Sequence, residues 1–375
     1  MTPTPLQIET RSEAKDSVLF HAAFSEFGQR SRQDPYRVAL ASPEMILKMM
    51  HLPLGKPVEF FLAWPLNAGN AGNALQAQPL GRISANVDST GTRGFVGFFE
   101  IDLSSTHSEE VAHALLAAAE NWLKAQGVKQ MIGPLDFSTW FSYRFRIEHE
   151  SAEPLESTAG SSPRFAWEPV NPPEYPAFFQ SFGMSEIQAY HSQSYSAPAA
   201  DARLPGSENL KKAYDFAVSQ GFRFRPIDLA QFQTREIPLL HELSHQCFKD
   251  AFLFEPIPLP IFGALYAQAL QRFDFSPSRF VQTADGRTVG FLFAFIDRDY
   301  LVIKTIAVLE EFQNQKLSSA LLHPAFDHCF QNQITRGISA LVKSGAKSEH
   351  HETRSKQFAQ RDWMHEYSLF GKDLP

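Results

Sequence analysis

The sequence predicts an α/β fold built as two tandem units, each a mixed, twisted sheet flanked by helices. Three observations lead there. At 375 residues the chain exceeds what one hydrophobic core usually organises. Short runs rich in Val, Ile and Phe alternate with stretches whose apolar residues recur at helical spacing. The order strand, two helices, three strands, helix, strand occurs once on each side of the polar, proline-bearing segment Ser196–Ser207. The expected division is a first unit over 1–196, a linker over 197–207 and a second unit over 208–375.

In the first half a strand is expected at Leu6–Thr10, then a helix holding Val18, Leu19, Ala22 and Ala23, then a helix at Pro43–Met50. Strands follow at Val58–Trp64, Gly81–Val87 and Phe95–Ile101, each β-rich and bounded by Gly, Pro or Asn. Thr106 with Glu109 reads as a capping box, after which Val111, Ala114, Leu115, Ala118 and Trp122 keep helical spacing up to Gly127. Met131–Pro134 restarts a strand, and a crossover helix between strands makes the sheet mixed. Leu66–Pro79 and His149–Arg164 read as surface loops; the glycines of the first lack phosphate-loop spacing.

The second half repeats the order. A strand is expected at Phe222–Ile227, helices at Arg235–Phe252 and Pro258–Phe273, and strands at Arg279–Thr283, Thr288–Ile296 and Tyr300–Val308. Asp285-Gly286 between the first two strands is a hairpin signal, since both residues tolerate positive φ. A helix near Asn314, a strand at Ile338–Val342, a helix around Ser355–Met364 and a strand at Glu366–Gly371 complete the chain. Pro324 is expected to kink or end the helix it falls in, because it lacks an amide and its ring meets the preceding turn.

Composition narrows the function. The net charge is −7 and no basic run interrupts it, so nucleic acid is not an expected partner. The longest apolar run, Gly290–Ile296, is far shorter than the roughly 20 residues that span a bilayer, and the opening residues lack a signal-peptide pattern. A cytoplasmic protein without membrane association is expected. Cys247 and Cys329 are too few for a disulfide framework and read as buried thiols. The 34 Phe imply large aromatic cores or an apolar cleft.

Ala307–Leu322, AVLEEFQNQKLSSALL, carries the clearest chemical signal. A strand ends at Val308, Glu310, Glu311 and Phe312 follow, and Gln313-Asn314-Gln315-Lys316-Leu317-Ser318-Ser319 leads into a helix. Unpaired amides at a helix N-terminus, with its positive dipole end, suit a pyrophosphate. The segment resembles the acyl-CoA pyrophosphate loop of the GNAT superfamily of N-acyltransferases, Q/R-x-x-G-x-G/A before a helix. Gln313 matches its first position and Ser318 its last; Lys316 stands at the middle Gly and Asn314 at another frequent Gly. Gly81–Asp88, Gly94–Asp102, Glu120–Gly127, Gly133–Phe145 and Phe165–Met184 look like the amino-terminal lobe of a bacterial tandem GNAT-like family.

That resemblance implies two GNAT-like lobes and acetyl-CoA or another acyl-CoA as co-substrate. It would be held by Val308 and by Gln313, Asn314, Gln315, Lys316, Leu317, Ser318 and Ser319, and the acceptor would be a small-molecule or peptide amine. After its fourth strand the first half runs DLSSTHSEE, with no such loop, so the second lobe is the expected cofactor site. Val302 stands where many family members carry a Glu base, and Phe179 and Phe358 stand where a Tyr acid is common. Glu100 and Tyr143 are then the candidate catalytic groups, with Trp140 and Arg144 as candidate acceptor-binding groups near the opening of the first sheet. An ordinary strand-end carboxylate and a surface hydrogen-bonding pair are the competing readings. Lys304 could reach a phosphate or simply occupy a solvated strand face.

His241-Glu242-Leu243-Ser244-His245 satisfies the H-E-x-x-H spacing of a zinc site, but Phe248 and Ala251 occupy the positions of its usual extension, and no metal is expected. His350-His351-Glu352 reads as a polar turn. The expected activity is acyl-CoA-dependent N-acyl transfer by direct attack of an amine on the thioester, with an amide near Val308 stabilising the oxyanion. The alternative is a catalytically lapsed GNAT-like module that binds a ligand or protein.

Overall fold

The structure, a computed structural model, describes residues 6–14, 16–31, 41–65, 78–147, 164–267, 269–345 and 361–375. By internal contact the chain divides into two units, one formed by residues 1–161, 169–189 and 367–375, the other by 162–168 and 190–366. Residues 66–77 of the loop expected at Leu66–Pro79, residues 149–163 of the loop expected at His149–Arg164, the His350-His351-Glu352 turn and Phe358 lie outside the described residues.

Unit 1 contains β1 (Leu6–Thr10), α1 (Ser17–Ser31), α2 (Pro43–Met50), β2 (Val58–Pro65), β3 (Gly81–Val87), β4 (Arg93–Ile101), α3 (Ser108–Ala125), β5 (Gln130–Gly133), β6 (Phe145–Ile147) and α4 (Glu174–Ser181). It also takes the start of β7 (Ser185–Ser196). Its sheet runs β1-β2-β3-β4-β5 in antiparallel pairs except β4 with β5, which are parallel because α3 crosses between them. Alternation along the strands divides the core in two. Phe61, Ala63, Ile83 and Ala85 pack under Val111, Leu115, Ala119 and Leu123 of α3, whereas Phe60, Leu62 and Phe98 pack with Phe20 and Phe24 of α1 and Met50 of α2. A sheet buried on both faces explains why these strands read as nearly unbroken apolar runs.

The Thr106–Glu109 capping box does not form. The cap of α3 is His107, whose side chain meets no first-turn amide; its Nδ1 lies 3.0 Å from Glu110 Oε2, and its own amide donates to Ser105 Oγ at 3.2 Å. At α2, by contrast, Ser42 Oγ accepts from Met45 N at 3.3 Å and Pro43 sits in the first turn, where no amide is needed.

Unit 2 contains the rest of β7, α5 (Ser207–Ser219), β8 (Arg223–Pro226), α6 (Ile237–Phe248), α7 (Leu259–Ala267), β9 (Arg279–Gln282), β10 (Thr288–Asp297), β11 (Tyr300–Val308), α8 (Leu317–Gln331), β12 (Arg336–Lys343) and the first part of β13 (Arg361–Asp373). The last part of β13 pairs with β5 inside unit 1. The unit 2 sheet runs β7-β12-β11-β10-β9-β8, antiparallel except for β11 with β12, which α8 connects. Residues 197–207, expected as a linker, fall within unit 2 in this division, with Ala197 N bonded to Thr335 O and Leu204 buried.

Several expected helices are shorter. A π turn at Phe232–Glu236 precedes α6, and a 3-10 turn at Ala269–Gln271 follows α7. Of the helix expected around Ser355–Met364, positions 361–364 are extended and belong to β13. Pro324 does not end its helix: α8 continues through it to Gln331.

Candidate acyl-CoA site in unit 2

The centre of the site is a gap between two parallel strands. The β11–β12 ladder runs from Tyr300↔Arg336 to Ile303↔Ser339 and stops there. Beyond that point both strands are drawn outward by their other neighbours. On the β10 side the register passes from Ala294↔Ile303 to Phe293↔Thr305, so Lys304 is an extra, bulged residue. On the β7 side it passes from Ser339↔Gln193 to Val342↔His191, and within that irregularity Leu341 N donates to Ser192 Oγ at 2.8 Å.

Antiparallel pairing alternates hydrogen-bonded with non-hydrogen-bonded pairs. Leu309 N donates to Val289 O at 2.9 Å, which makes that pair the bonded one and Gly290↔Val308 the unbonded one. The peptide groups of Val308, and by the same alternation of Ile306, therefore point away from β10 into the gap that β12 has left. Gln313 Nε2 donates to Val308 O at 3.3 Å, so that carbonyl is met and the Val308 amide remains directed into the gap.

The chain then makes a 3-10 turn at Glu310–Phe312 and enters α8. Asn314 and Lys316 both have left-handed backbone, with φ of 64° and 62°. These are the two positions where the loop the segment resembles carries glycine, which adopts that conformation without the steric cost a lysine bears. The Lys316 ammonium lies 5.5 Å from the centroid of the Phe216 ring on α5. The first intrahelical bond of α8 is Ala320 N to Lys316 O, so the amides of Leu317 and Ser318 have no carbonyl within the helix to receive them. Glu311 bonds Arg287 at 2.6 Å and its carboxyl is held below the usual range, chiefly by its own backbone amide and then by Arg287.

One wall of unit 2 comes from a segment assigned by resemblance to the first lobe. Trp167 packs edge-on against Phe295 at 5.0 Å, and Lys304 Nζ stands 5.7 Å from its ring. Ala166 N donates to Asp297 Oδ2 at 2.8 Å, and the buried His365 donates through Nδ1 to Glu168 Oε1 at 2.6 Å. Nothing in the local pattern of Phe165–Glu168 signals these partners, which lie more than 100 residues on.

The unit 1 counterpart of the gap is filled by its own chain. The β4–β5 ladder stops at Phe95↔Ile132, and Phe98, with φ of 50°, lies at the β4 irregularity. Leu135 N then donates to Val96 O at 2.7 Å and Asp136 Oδ1 accepts from Phe98 N at 2.6 Å. A Cβ on Gly97 would lie 2.5 Å from Leu135 O, so glycine is what allows this close approach.

The remaining candidates lie in unit 1. Glu100, 3% exposed, accepts from Tyr175 OH at 3.1 Å and stands 3.9 Å from the buried Arg82 guanidinium. Tyr143 bridges Leu135, and the Arg144 guanidinium lies 3.7 Å from its ring centroid. Trp140 N donates to Ser138 Oγ at 3.4 Å. Trp140, Tyr143 and Arg144 thus share the segment after β5, whereas Glu100 is on β4. Phe179 is fully buried in the α3-side core and Val302 is fully buried on β11.

The H-E-x-x-H histidines are committed to the peptide of Ile257. His241 Nε2 donates to Ile257 O at 2.7 Å, Ile257 N donates to His245 Nε2 at 3.1 Å, and His245 Nδ1 donates to His241 O at 2.8 Å. Among the described residues no group of three potential metal ligands converges. Burial pushes the Cys247 thiol up to about 11, with Glu311 adding to the shift, and Cys329 up to about 12. Neither is a ready nucleophile.

Residues 237–358 match the acetyltransferase (GNAT) family. No curated protein sequence matches the chain. Among solved structures it is similar to a tandem GNAT protein from the clavulanic acid biosynthesis pathway, with TM-score 0.51, 10% identity and 98% of each chain covered. A GCN5-related N-acetyltransferase from Anabaena variabilis aligns at TM-score 0.54 and 11% identity over 98% of this chain and 72% of that one. A conserved protein from Enterococcus faecalis aligns at TM-score 0.53 and 9% identity over 99% and 73%. No described helix is long and apolar enough to cross a membrane. The chain has the tandem GNAT-like fold, and its GNAT family match falls in the second half.

Proposed function

We propose that the protein is an acyl-CoA-dependent N-acyltransferase whose unit 2 holds the acyl-CoA. The observation that carries this reading is the gap between β11 and β12, into which the Val308 amide points and which leads to the Leu317 and Ser318 amides at the start of α8. The residues fit the group: a row of amide donors, the positive end of a helix dipole, and a slot between strands held open by bulges on both sides. When bound, acyl-CoA supplies the thioester carbon for transfer to an amine and releases its thiol.

The first-turn amides at Leu317 and Ser318 hold the pyrophosphate, and Gln313 fixes the preceding turn by bonding Val308 O. The Val308 amide is a preset donor for negative charge developing on the acyl carbonyl oxygen. Trp167 and Lys304 lie beside the bulge where the gap begins. Val302 offers no base, so the amine loses its proton to water or to a more distant group, at a cost of about 100- to 10,000-fold in rate.

Release of free thiol from acetyl-CoA, measured across a panel of small amines and peptides, tests this. Amine-dependent release supports the enzyme. Binding of acyl-CoA with no release for any amine supports instead the lapsed, ligand-binding module.

A further inference from the structure

Within unit 2, α5 runs alongside α8 and leaves one of its own faces open. Ala213 and Ala217 are buried on one side of α5, and the Tyr214 ring stands 5.0 Å from the His323 ring of α8. Ahead of α5, Arg203 bonds Asp327 of α8 at 2.7 Å. These contacts fix α5 against α8. Lys212 and Phe216 are four residues apart, so they share a face of the helix, and both are exposed.

Phe216 is 46% exposed, and Lys316 Nζ lies 5.5 Å from its ring centroid. A single exposed ring is ordinary on a protein surface. This one is set apart by its neighbours. Lys316 caps α8 immediately before the Leu317 and Ser318 amides, and its ammonium is turned to the Phe216 ring. Among the described residues neither the Lys212 nor the Lys316 ammonium has a hydrogen bond or an ion pair. Glu208, one turn before Lys212, does not pair with it, and the carboxylate of Asp215 is taken by Lys211 at 2.6 Å. An open aromatic ring and two unneutralised ammonium groups thus adjoin the positive end of a helix, in a chain whose net charge is −7.

We propose that Phe216, Lys212 and Lys316 form a nucleotide subsite, so that the acyl donor is a free coenzyme A thioester and not an acyl group on the phosphopantetheine arm of a carrier protein. The inference rests on the acyl-CoA reading of unit 2 and names the class of thioester that site accepts. The adenine ring stacks on Phe216, Lys316 adds positive charge beside the pyrophosphate, and Lys212 meets the 3′-phosphate of the ribose. A base stacked on an aromatic side chain gains about 5- to 150-fold in affinity. A carrier arm ends in one phosphate and brings neither base nor 3′-phosphate, so Phe216 and Lys212 discriminate against it.

Calorimetric titration of the full-length protein with acetyl-coenzyme A, its 3′-dephospho form and acetyl-phosphopantetheine tests the assignment. Acetyl-coenzyme A should bind most tightly, the dephospho form at least about fivefold more weakly, and acetyl-phosphopantetheine most weakly of the three. Phe216→Ala should weaken both nucleotide thioesters at least about fivefold and leave acetyl-phosphopantetheine unchanged, whereas Phe216→Trp, which keeps a ring, should retain them. Lys212→Met should lower acetyl-coenzyme A to the affinity of the dephospho form and leave the dephospho form unchanged. Both substituted positions are exposed, so the core of the unit is left intact. Acetyl-coenzyme A binding that Phe216→Ala does not weaken, equal affinities for the two nucleotide thioesters, or acetyl-phosphopantetheine bound as tightly as acetyl-coenzyme A would overturn this inference and leave thioester binding by unit 2 standing. No binding of acetyl-coenzyme A to the wild-type protein up to about 1 mM would overturn both.

Discussion

Lys316 shows how a family-pattern departure becomes a physical quantity. Its left-handed backbone costs a non-glycine residue about 1–2 kcal/mol, part of which glycine returns through the greater freedom of the unfolded chain. Lys316→Gly is therefore expected to stabilise the protein by roughly 0.5–1 kcal/mol in denaturant unfolding; a destabilised variant would show that the lysine stem on Phe216 outweighs the strain. Glu100 shows the opposite: a polar residue singled out in the sequence sits among partners from far along the chain, Tyr175 and Arg82. Glu100→Ala leaves the Arg82 charge buried without its acidic neighbour and should cost about 3–5 kcal/mol. A loss below about 1 kcal/mol, together with abolished turnover, would favour the candidate base role instead.

His245 carries a pH dependence. Burial, the largest cause, lowers its pKa below the ordinary 6.5, and Ile257 N uses its unprotonated Nε2. The unfolded chain then takes up the proton more readily than the folded protein. The contribution is fully present above about pH 6.5 and is lost as pH falls from 6.5 through the lowered value. His323, also lowered mainly by burial, acts in the same direction. Stability measured from about pH 7.5 down to about pH 5.5 should fall, and His245→Gln should flatten part of that slope; an unchanged slope would remove His245 from the account.

At the scale of elements, the strands were legible because alternating and near-continuous apolar runs bounded by turn residues leave a plain pattern. β2, β3, β9, β10 and β11 lie within a residue or two of their expected positions. The gap that makes the site was not legible, since a bulge is a register shift between two strands and Lys304 carries no residue-level mark of it. The capping box failed for a related reason: Thr106 and Glu109 have the right spacing, but the turn through Ser105 and His107 sets the helix start one residue later. Pro324 is expected to kink or end its helix; of these, ending does not occur, because tertiary packing carries α8 through it, with Ala320, Leu321, Ala325 and Phe326 all buried. Pro324→Ala restores an amide for Ala320 O and should stabilise by about 1–3 kcal/mol in thermal or denaturant unfolding; a destabilised variant would mean that the proline ring itself fills the core.

At the scale of the molecule, the doubled order of elements made the tandem α/β architecture readable. The ownership of β7 and β13 was not. β7 begins just after the Phe182-Gly183-Met184 turn and ends where a linker was expected, and the start of β13 was read as helix, so neither strand announced that its residues are shared between units. The candidate acyl-CoA site divides in the same way. The resemblance assigns Val308 and Gln313 to Ser319, whereas the direction of the Val308 amide follows from strand register and the place of Trp167 beside Phe295 from contacts distant in sequence.

The central claim, that unit 2 holds acyl-CoA at the first turn of α8, is tested most directly by calorimetric titration of acetyl-CoA and a long-chain acyl-CoA into the wild-type protein and into Ser318→Glu, which places a carboxylate among the first-turn amides. The account predicts micromolar binding at about one site per chain and a loss of at least about tenfold in the variant. No detectable heat with either ligand, or an affinity that Ser318→Glu leaves unchanged, would contradict it.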